Sequence, residues 1–371
     1  MKNHFKLNNF TLNLASILII LCLIVFILWI MQDVIIPLLF SIILAVIVFP
    51  LVEKLEKFKI NRIIAIILAL IIASTIIFLV SFIVIVQGIE ISEDASNIIA
   101  KIKQLSNDIL NWTSKILHVS QAELVEVALK ESKNTITSLG KYAMQTFQSF
   151  GEIVSISVLI PIFSFFFIYY RNAFKIFLIK AFDNTSEEKV DAILTKMYNT
   201  LQNYMIGQLT VMFIIAILNT IGLYILGIQY AWFFGILASL LMILPYIGIT
   251  IGSIFPAIFA LATMDSPYFA LGVIAWFLFI QFIEGNFITP NIIGGKVSLN
   301  PLASMLAIIL GGMLFGFAGF ILALPLAALL KVLFDANPKT EAYGFILGDL
   351  DIDEETANEE LPIIENELEN K

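Results

Sequence analysis

The chain has 371 residues, 60% of them hydrophobic and 13% charged, with a mean hydropathy of +0.96. A typical globular domain carries about 45–50% apolar and about 25% charged residues, so a set of soluble domains is excluded and a polytopic membrane protein is indicated. The net charge of −8 belongs to a tail: residues 335–371 hold twelve acidic and two basic side chains, against 17 and 19 in the remainder.

The acidity is therefore no general surface for basic partners, and neither is there a basic face for nucleic acid. Cys22 is the single cysteine, so an intramolecular disulfide is impossible. The two histidines, His4 and His118, lie far apart, which leaves no His/Cys metal or haem site. No cofactor is expected.

A helical span needs about 20 mostly apolar residues. Residues 14–31, 34–52, 63–86 and 153–170 meet that requirement. The first lacks a small-residue cleavage site and reads as a retained anchor rather than a signal peptide. Lys2 and Lys6 precede it, Gln32-Asp33 follows it without a base, and the next linker holds Lys54, Lys57, Lys59 and Arg62. Basic loops mark the cytoplasmic side, so the N-terminus and the second linker are placed inside, and segment 87–152 outside. In that segment Ile98, Ile102, Leu105, Ile109, Trp112 and Ile116 form one helical stripe. A second helical stretch covers 121–142. The pair suits either packing on the protein's own outer surface or assembly of a homo-oligomer. Residues 171–203 form an internal linker, with 185–203 as an amphipathic surface helix started by Thr185, Glu187 and Glu188.

Residues 204–334 read as the transport core. Residues 204–226 make one span. Residues 232–263 would reach about 48 Å as one helix, against a hydrocarbon core of about 30 Å, and Pro245-Tyr246-Ile247-Gly248 interrupts them near the middle. Residues 267–283 make another span, and 302–333 are again too long and are interrupted around Gly316-Phe317-Ala318-Gly319. Gly248 with Gly252 and Gly312 with Gly316 mark the breaks. Span, broken hairpin, span, broken hairpin is an inverted repeat of the kind that places transporter sites near the membrane midplane. The alternative reads each long stretch as one tilted, kinked span, its glycines serving close helix packing. The fold class is thus an all-α polytopic membrane protein of about eight segments. It starts with membrane spans over 1–86 and ends in an acidic, disordered cytoplasmic tail over 335–371.

Two groups of residues carry a resemblance. One is Leu244-Pro245-Tyr246-Ile247-Gly248 with Gly252 and Pro256-Ala257. The other is Gln281, Glu284-Gly285-Asn286 and Pro290, followed by Gly294, Leu299-Asn300-Pro301, Gly311-Gly312, Gly316, Gly319 and Pro325-Leu326-Ala327. Together they resemble the autoinducer-2 exporter family of bacterial permeases over about residues 10–335. That resemblance implies about eight membrane segments and export of a small sugar-derived signalling molecule, with sodium/proton antiport in some relatives.

Glu284 is the leading candidate for handling an ion, because a carboxylate at the end of an apolar span is costly unless used or paired. Gln281 lies one turn earlier, Asn286 and Thr289 offer oxygens, and Gly285 and Pro290 can unwind the backbone. The competing reading makes Glu284 structural, neutralised by Lys296. Lys296 itself either attracts a polar substrate or snorkels to the interface. Pro245, Gly248, Gly252, Pro290, Gly312, Gly316 and Gly319 are the hinge candidates. Asn203, Gln208 and Asn219 either line a polar path or bond between helices. Asp265, in Met264-Asp265-Ser266-Pro267, reads as a helix cap.

Gly294-Gly295-Lys296-Val297 lacks the glycine and hydroxyl of a phosphate loop. The acidic tail lacks the spacing of a calcium loop. With no nucleotide-hydrolysing module and no nucleophile–base set, enzyme activity is not expected. Transport would draw on an ion or solute gradient across the lipid bilayer. Three functions remain: exporter of a small polar organic molecule, sodium/proton antiporter using Glu284, and non-transporting scaffold.

Overall fold

The computed structural model describes residues 9–93, 100, 101, 104, 158–182, 185–244, 248–294 and 299–348. The helices expected over 98–142 lie almost wholly outside the described residues, as do Pro245, Lys296 and the tail beyond 348. Every regular element among the described residues is helical. In chain order these are α1 (Asn9–Ile30), α2 (Gln32–Lys57), α3 (Arg62–Glu93), α4 (Val158–Tyr169), α5 (Arg171–Ala181), α6 (Glu187–Ile225), α7 (Ala231–Leu241), α8 (Gly248–Thr263), α9 (Tyr268–Ile283), α10 (Pro301–Asp335) and α11 (Glu341–Leu347). Long Leu/Ile/Val runs become helices because a bilayer leaves no water to satisfy backbone groups. Among the described residues five helices are long and apolar enough to cross by length and composition alone, α10 included, or six if the pair α4–α5, bent by 67°, counts as one.

The chain divides into two compact units, Met1–Phe177 with Met205–Ile293 and Leu178–Tyr204 with Gly294–Lys371. In the first, α2, α3 and α4 enclose Val52, Ala65, Ile66, Ala69 and Ile168. Alanines at these positions let the helices approach closely. Ser164 Oγ on α4 shares its one proton between Ser41 O on α2 at 2.9 Å and Ile160 O at 2.7 Å, and Ser41 Oγ donates to Pro37 O at 2.5 Å. Arg62 ends α4: its guanidinium donates to Ile168 O at 3.0 Å and to Tyr169 O, placing a cation on the negative end of the helix. Beyond the bend, Arg171 pairs with Glu56 at 3.1 Å.

The same unit holds the first of the long interrupted stretches. α7 has 11 residues and α8 has 16, or about 16 and 24 Å at about 1.5 Å per residue. A Cβ on Gly252 would come within 2.9 Å of the Ala238 Cβ, and one on Gly248 would strike Leu241 O. Residues 238 and 252 would stand about 21 Å apart on a continuous helix. The chain has therefore turned back, and the tilted single span is excluded here. Leu223, Ala260 and Val273, fully buried, join α6, α8 and α9 around this hairpin.

In the second unit α10 departs from helical geometry at Gly316, with φ 57° and ψ −135°. A straight helix of 35 residues would be about 52 Å long. Yet α11, of seven residues and about 10 Å, touches both ends of α10. Asn300 Nδ2 donates to Ile346 O at 2.7 Å and Gly348 O at 2.9 Å, while Thr340 Oγ1 donates to Phe334 O at 3.0 Å. Midway, a Cβ on Gly311 would come within 2.7 Å of Gly319 O, and Gly312 faces the Phe320 ring. α10 is a second hairpin, folded at Gly316, rather than a single span. Its base is closed by a strap, 336–348. At the strap Asp335 pairs with Lys331 at 2.8 Å and packs against Gly344.

Three expectations change. The amphipathic helix of 185–203 is not separate: it continues into the span as the 39-residue α6, with Glu187 and Glu188 in its first turn. At the start of α9, Ser266 Oγ rather than Asp265 meets the Tyr268 amide, at 3.4 Å. Loss of structure does not begin at Asp335, because buried hydrogen bonds from Asn300 hold the chain through Gly348.

Candidate functional site

The apolar helix α9 positions the site, which lies wholly within the first unit. At its end Glu284–Ile288 widens into a π-helix, followed by one α-turn, Thr289–Ile292. Pro290 has no N–H to continue the regular pattern. Thr289 N–H instead reaches back five residues to Glu284 O. In a regular α-helix, residues five apart lie about 140° apart around the axis, so their side chains diverge. The widened turn removes that gap, and Thr289 Oγ1 donates to Glu284 Oε1. Gln281, already on the same face, donates from Nε2 to Glu284 Oε2 at 2.9 Å. Both carboxylate oxygens are thus held, and Glu284 is only 8% exposed. Among the described residues it has no ion pair.

Beside the carboxylate lies a small cavity, about 10 Å³ for the centre of a water-sized sphere. That is room for roughly one water-sized particle. Its polar lining is Asn219 on α6 with Gln281 and Glu284, and its apolar walls are Ile215, Ala238, Phe277 and Ile280. Asn219 is 2% exposed and its Oδ1 has no hydrogen-bond partner. Buried polar atoms are nearly always satisfied, so each exception asks for a cause. Trp276 Nε1 is also buried without a partner, but it is packed against Gly222 and does not line the cavity.

The structure therefore joins Glu284, Gln281 and Thr289 and adds Asn219. It does not join Asn286, which is exposed and donates to Phe282 O at 2.8 Å, a carbonyl in the last turn of α9. Asn203 is exposed and Gln208 half-buried, neither lining the cavity. Lys296, as partner or as substrate group, falls outside the described residues. Of the hinge candidates, Gly248 and Gly252 make the close approach of the first hairpin, and Gly316 turns the second. Gly319 meets Gly311 rather than Gly312. Asn300 was visible only as part of a motif. The signal that could have revealed its structural part is Asn directly before Pro, an N-cap followed by a proline at the first helical position.

The sequence pattern of the AI-2E family transporters matches residues 18–339. The chain belongs to that family. This AI-2E protein is 24% identical to the AI-2 transport protein TqsA of Escherichia coli over 343 residues, 91% of this chain and 94% of TqsA. It is 24% identical to a sodium-lithium/proton antiporter of Halobacillus andaensis over 303 residues, 77% of this chain and 85% of the relative. The Bacillus subtilis protein YrrI is 34% identical over 142 residues, which is 38% of this chain and 40% of YrrI. Membership and the apolar helices together make it a multi-pass transporter of the bacterial plasma membrane. The two relatives named for their cargo differ in that cargo, so kinship establishes transport and leaves the solute to the site.

Proposed function

We propose that this AI-2E transporter is an ion-coupled secondary transporter in which Glu284 is the carboxylate that takes up a cation or a proton. The carrying observation is the buried Glu284, held by Gln281 and Thr289 beside a cavity of one-particle size. A purely structural carboxylate would need no cavity at its side. Broken and widened helices supply such sites in other transporters because their freed polar groups face inward. The two hairpins, α7–α8 and the folded α10, are read as the re-entrant halves of an inverted repeat within about eight membrane segments, with both termini cytoplasmic.

A second reading, export of a small polar organic molecule driven by the same ion, is supported by the similarity to TqsA. The cavity is far too small for an organic solute, so that cargo would require a conformation with a wider opening.

The test is sodium-triggered proton movement in everted vesicles carrying wild type or Glu284→Gln at equal membrane abundance. Loss of the signal in the variant is the expected result. An equal signal in both would remove Glu284 from the mechanism.

A further inference from the structure

We infer that Asn219 is a ligand, and that the cavity it shares with Glu284 and Gln281 binds one dehydrated monovalent cation, of the smaller alkali type, as transported ion. This rests on the reading of Glu284 given above and adds what the site binds and which residue selects it.

Asn219 carries the argument. It lies in the mostly apolar second half of α6 and lines the cavity, and its Oδ1 is buried and unpartnered. An unpaired buried carbonyl is destabilising unless something electropositive meets it. No donor reaches that oxygen: the Gln281 amide bonds Glu284 instead, and Ile215, Ala238, Phe277 and Ile280 are apolar.

Charge balance restricts the occupant. Glu284 is the single ionisable group in the lining, so one monovalent cation leaves the site neutral. A divalent ion would leave an uncompensated charge against apolar walls, where charge is costly. Size restricts it further, since a hydrated ion does not fit a space for one water-sized particle. The lining offers few oxygens: two from the carboxylate and one each from Gln281 and Asn219. A small number of oxygens with a full charge among them is a strong-field site, which favours the smaller ion. Sodium or lithium therefore suits it better than potassium.

Position adds a mechanical consequence. Asn219 comes from α6, Ala238 from the first hairpin, and Glu284 from the end of α9. An ion held among them bridges three helices across an apolar core. Ala238 is also the residue against which Gly252 closes that hairpin.

The experiment uses the full chain purified in detergent, with thermal unfolding followed in sodium, lithium, potassium or choline chloride at matched ionic strength. Sodium and lithium should raise the melting temperature of wild type saturably, and potassium should match choline. Asn219→Leu, of similar shape without the oxygen, should weaken the sodium midpoint by about tenfold or more while leaving the choline melting temperature near wild type. Asn219→Asp adds a second carboxylate and should create a response to calcium, which keeps the test decisive if the leucine variant fails to fold.

Wild-type sodium midpoints in a folded Asn219→Leu, or an unchanged ion profile in Asn219→Asp, would overturn the inference and assign the cavity to water. The parent reading would survive that outcome if vesicle transport were still lost in Glu284→Gln. It would fall separately if Glu284→Gln transported normally.

Discussion

Replacing Asn300 by alanine should release the strap from the base of the second hairpin. The side chain makes three bonds: Nδ2 to Ile346 O and to Gly348 O, and Oδ1 from the Ala303 amide at 2.8 Å. A fourth, from the Asn300 backbone N–H to Leu347 O at 3.1 Å, survives the substitution. Each strap bond contributes about 1 kcal/mol net, and losing an Asn cap costs about 1 kcal/mol more. The two strap bonds together correspond to about a 30-fold rise in the opening constant of 336–348. Hydrogen exchange on the full chain in lipid nanodiscs reads this directly as faster exchange of those amides, since local opening sets protection. Asn300→Asp separates the two contributions. It keeps an acceptor for Ala303 but turns a carboxylate on the carbonyls of 346 and 348, so the strap should open while the helix start stays protected. Wild-type exchange of 336–348 in both variants would refute the reasoning.

Gly316→Ala places a Cβ on a backbone at φ 57°, ψ −135°. The substitution should cost about 1–3 kcal/mol, seen as a lower melting temperature in detergent. Gly252→Val drives a side chain into Ala238 across the first hairpin, and should lower folded yield and abolish transport in the fraction that folds. Ser164→Ala deletes the bond from α4 to Ser41 on α2 and should cost only about 0.6 kcal/mol, the usual worth of such bonds between membrane helices. Ser164→Leu, at a fully buried position, should reduce folded protein sharply by overpacking.

The all-helical membrane class was legible because a bilayer imposes a length that composition alone reveals, whereas five or six membrane-length helices stand among the described residues against about eight segments expected. Arithmetic raised the hairpins, since 32-residue stretches suit neither one upright span nor two, but it left tilted, kinked spans open; close approaches at Gly252 and Gly311 decide against them. The hairpin glycines pointed to the breaks at Gly248 and Gly316. Details set by hydrogen-bond geometry were not legible. Thr289 joins Glu284 while the nearer Asn286 turns away, because a π-turn changes which residues share a face, and that widening follows from backbone bonding rather than from residue spacing. Asn219 was one of three polar-path candidates on its helix, and packing from α7 and α9 distinguishes it from Asn203 and Gln208. The strap escaped notice because it was taken together with the acidic residues that follow it, although 336–348 hold only Glu341 against Lys339. What fastens its far end is an asparagine 46 and 48 residues upstream of the carbonyls it holds.

That dependence also sets an order of assembly. A chain is made from its N-terminus onward, so both arms of the second hairpin leave the ribosome before the segment that closes them. The hairpin must therefore enter the membrane with its base open and be fastened afterwards. Translation halted between Asp335 and Glu341 would yield a protein with every apolar segment present and one closure missing.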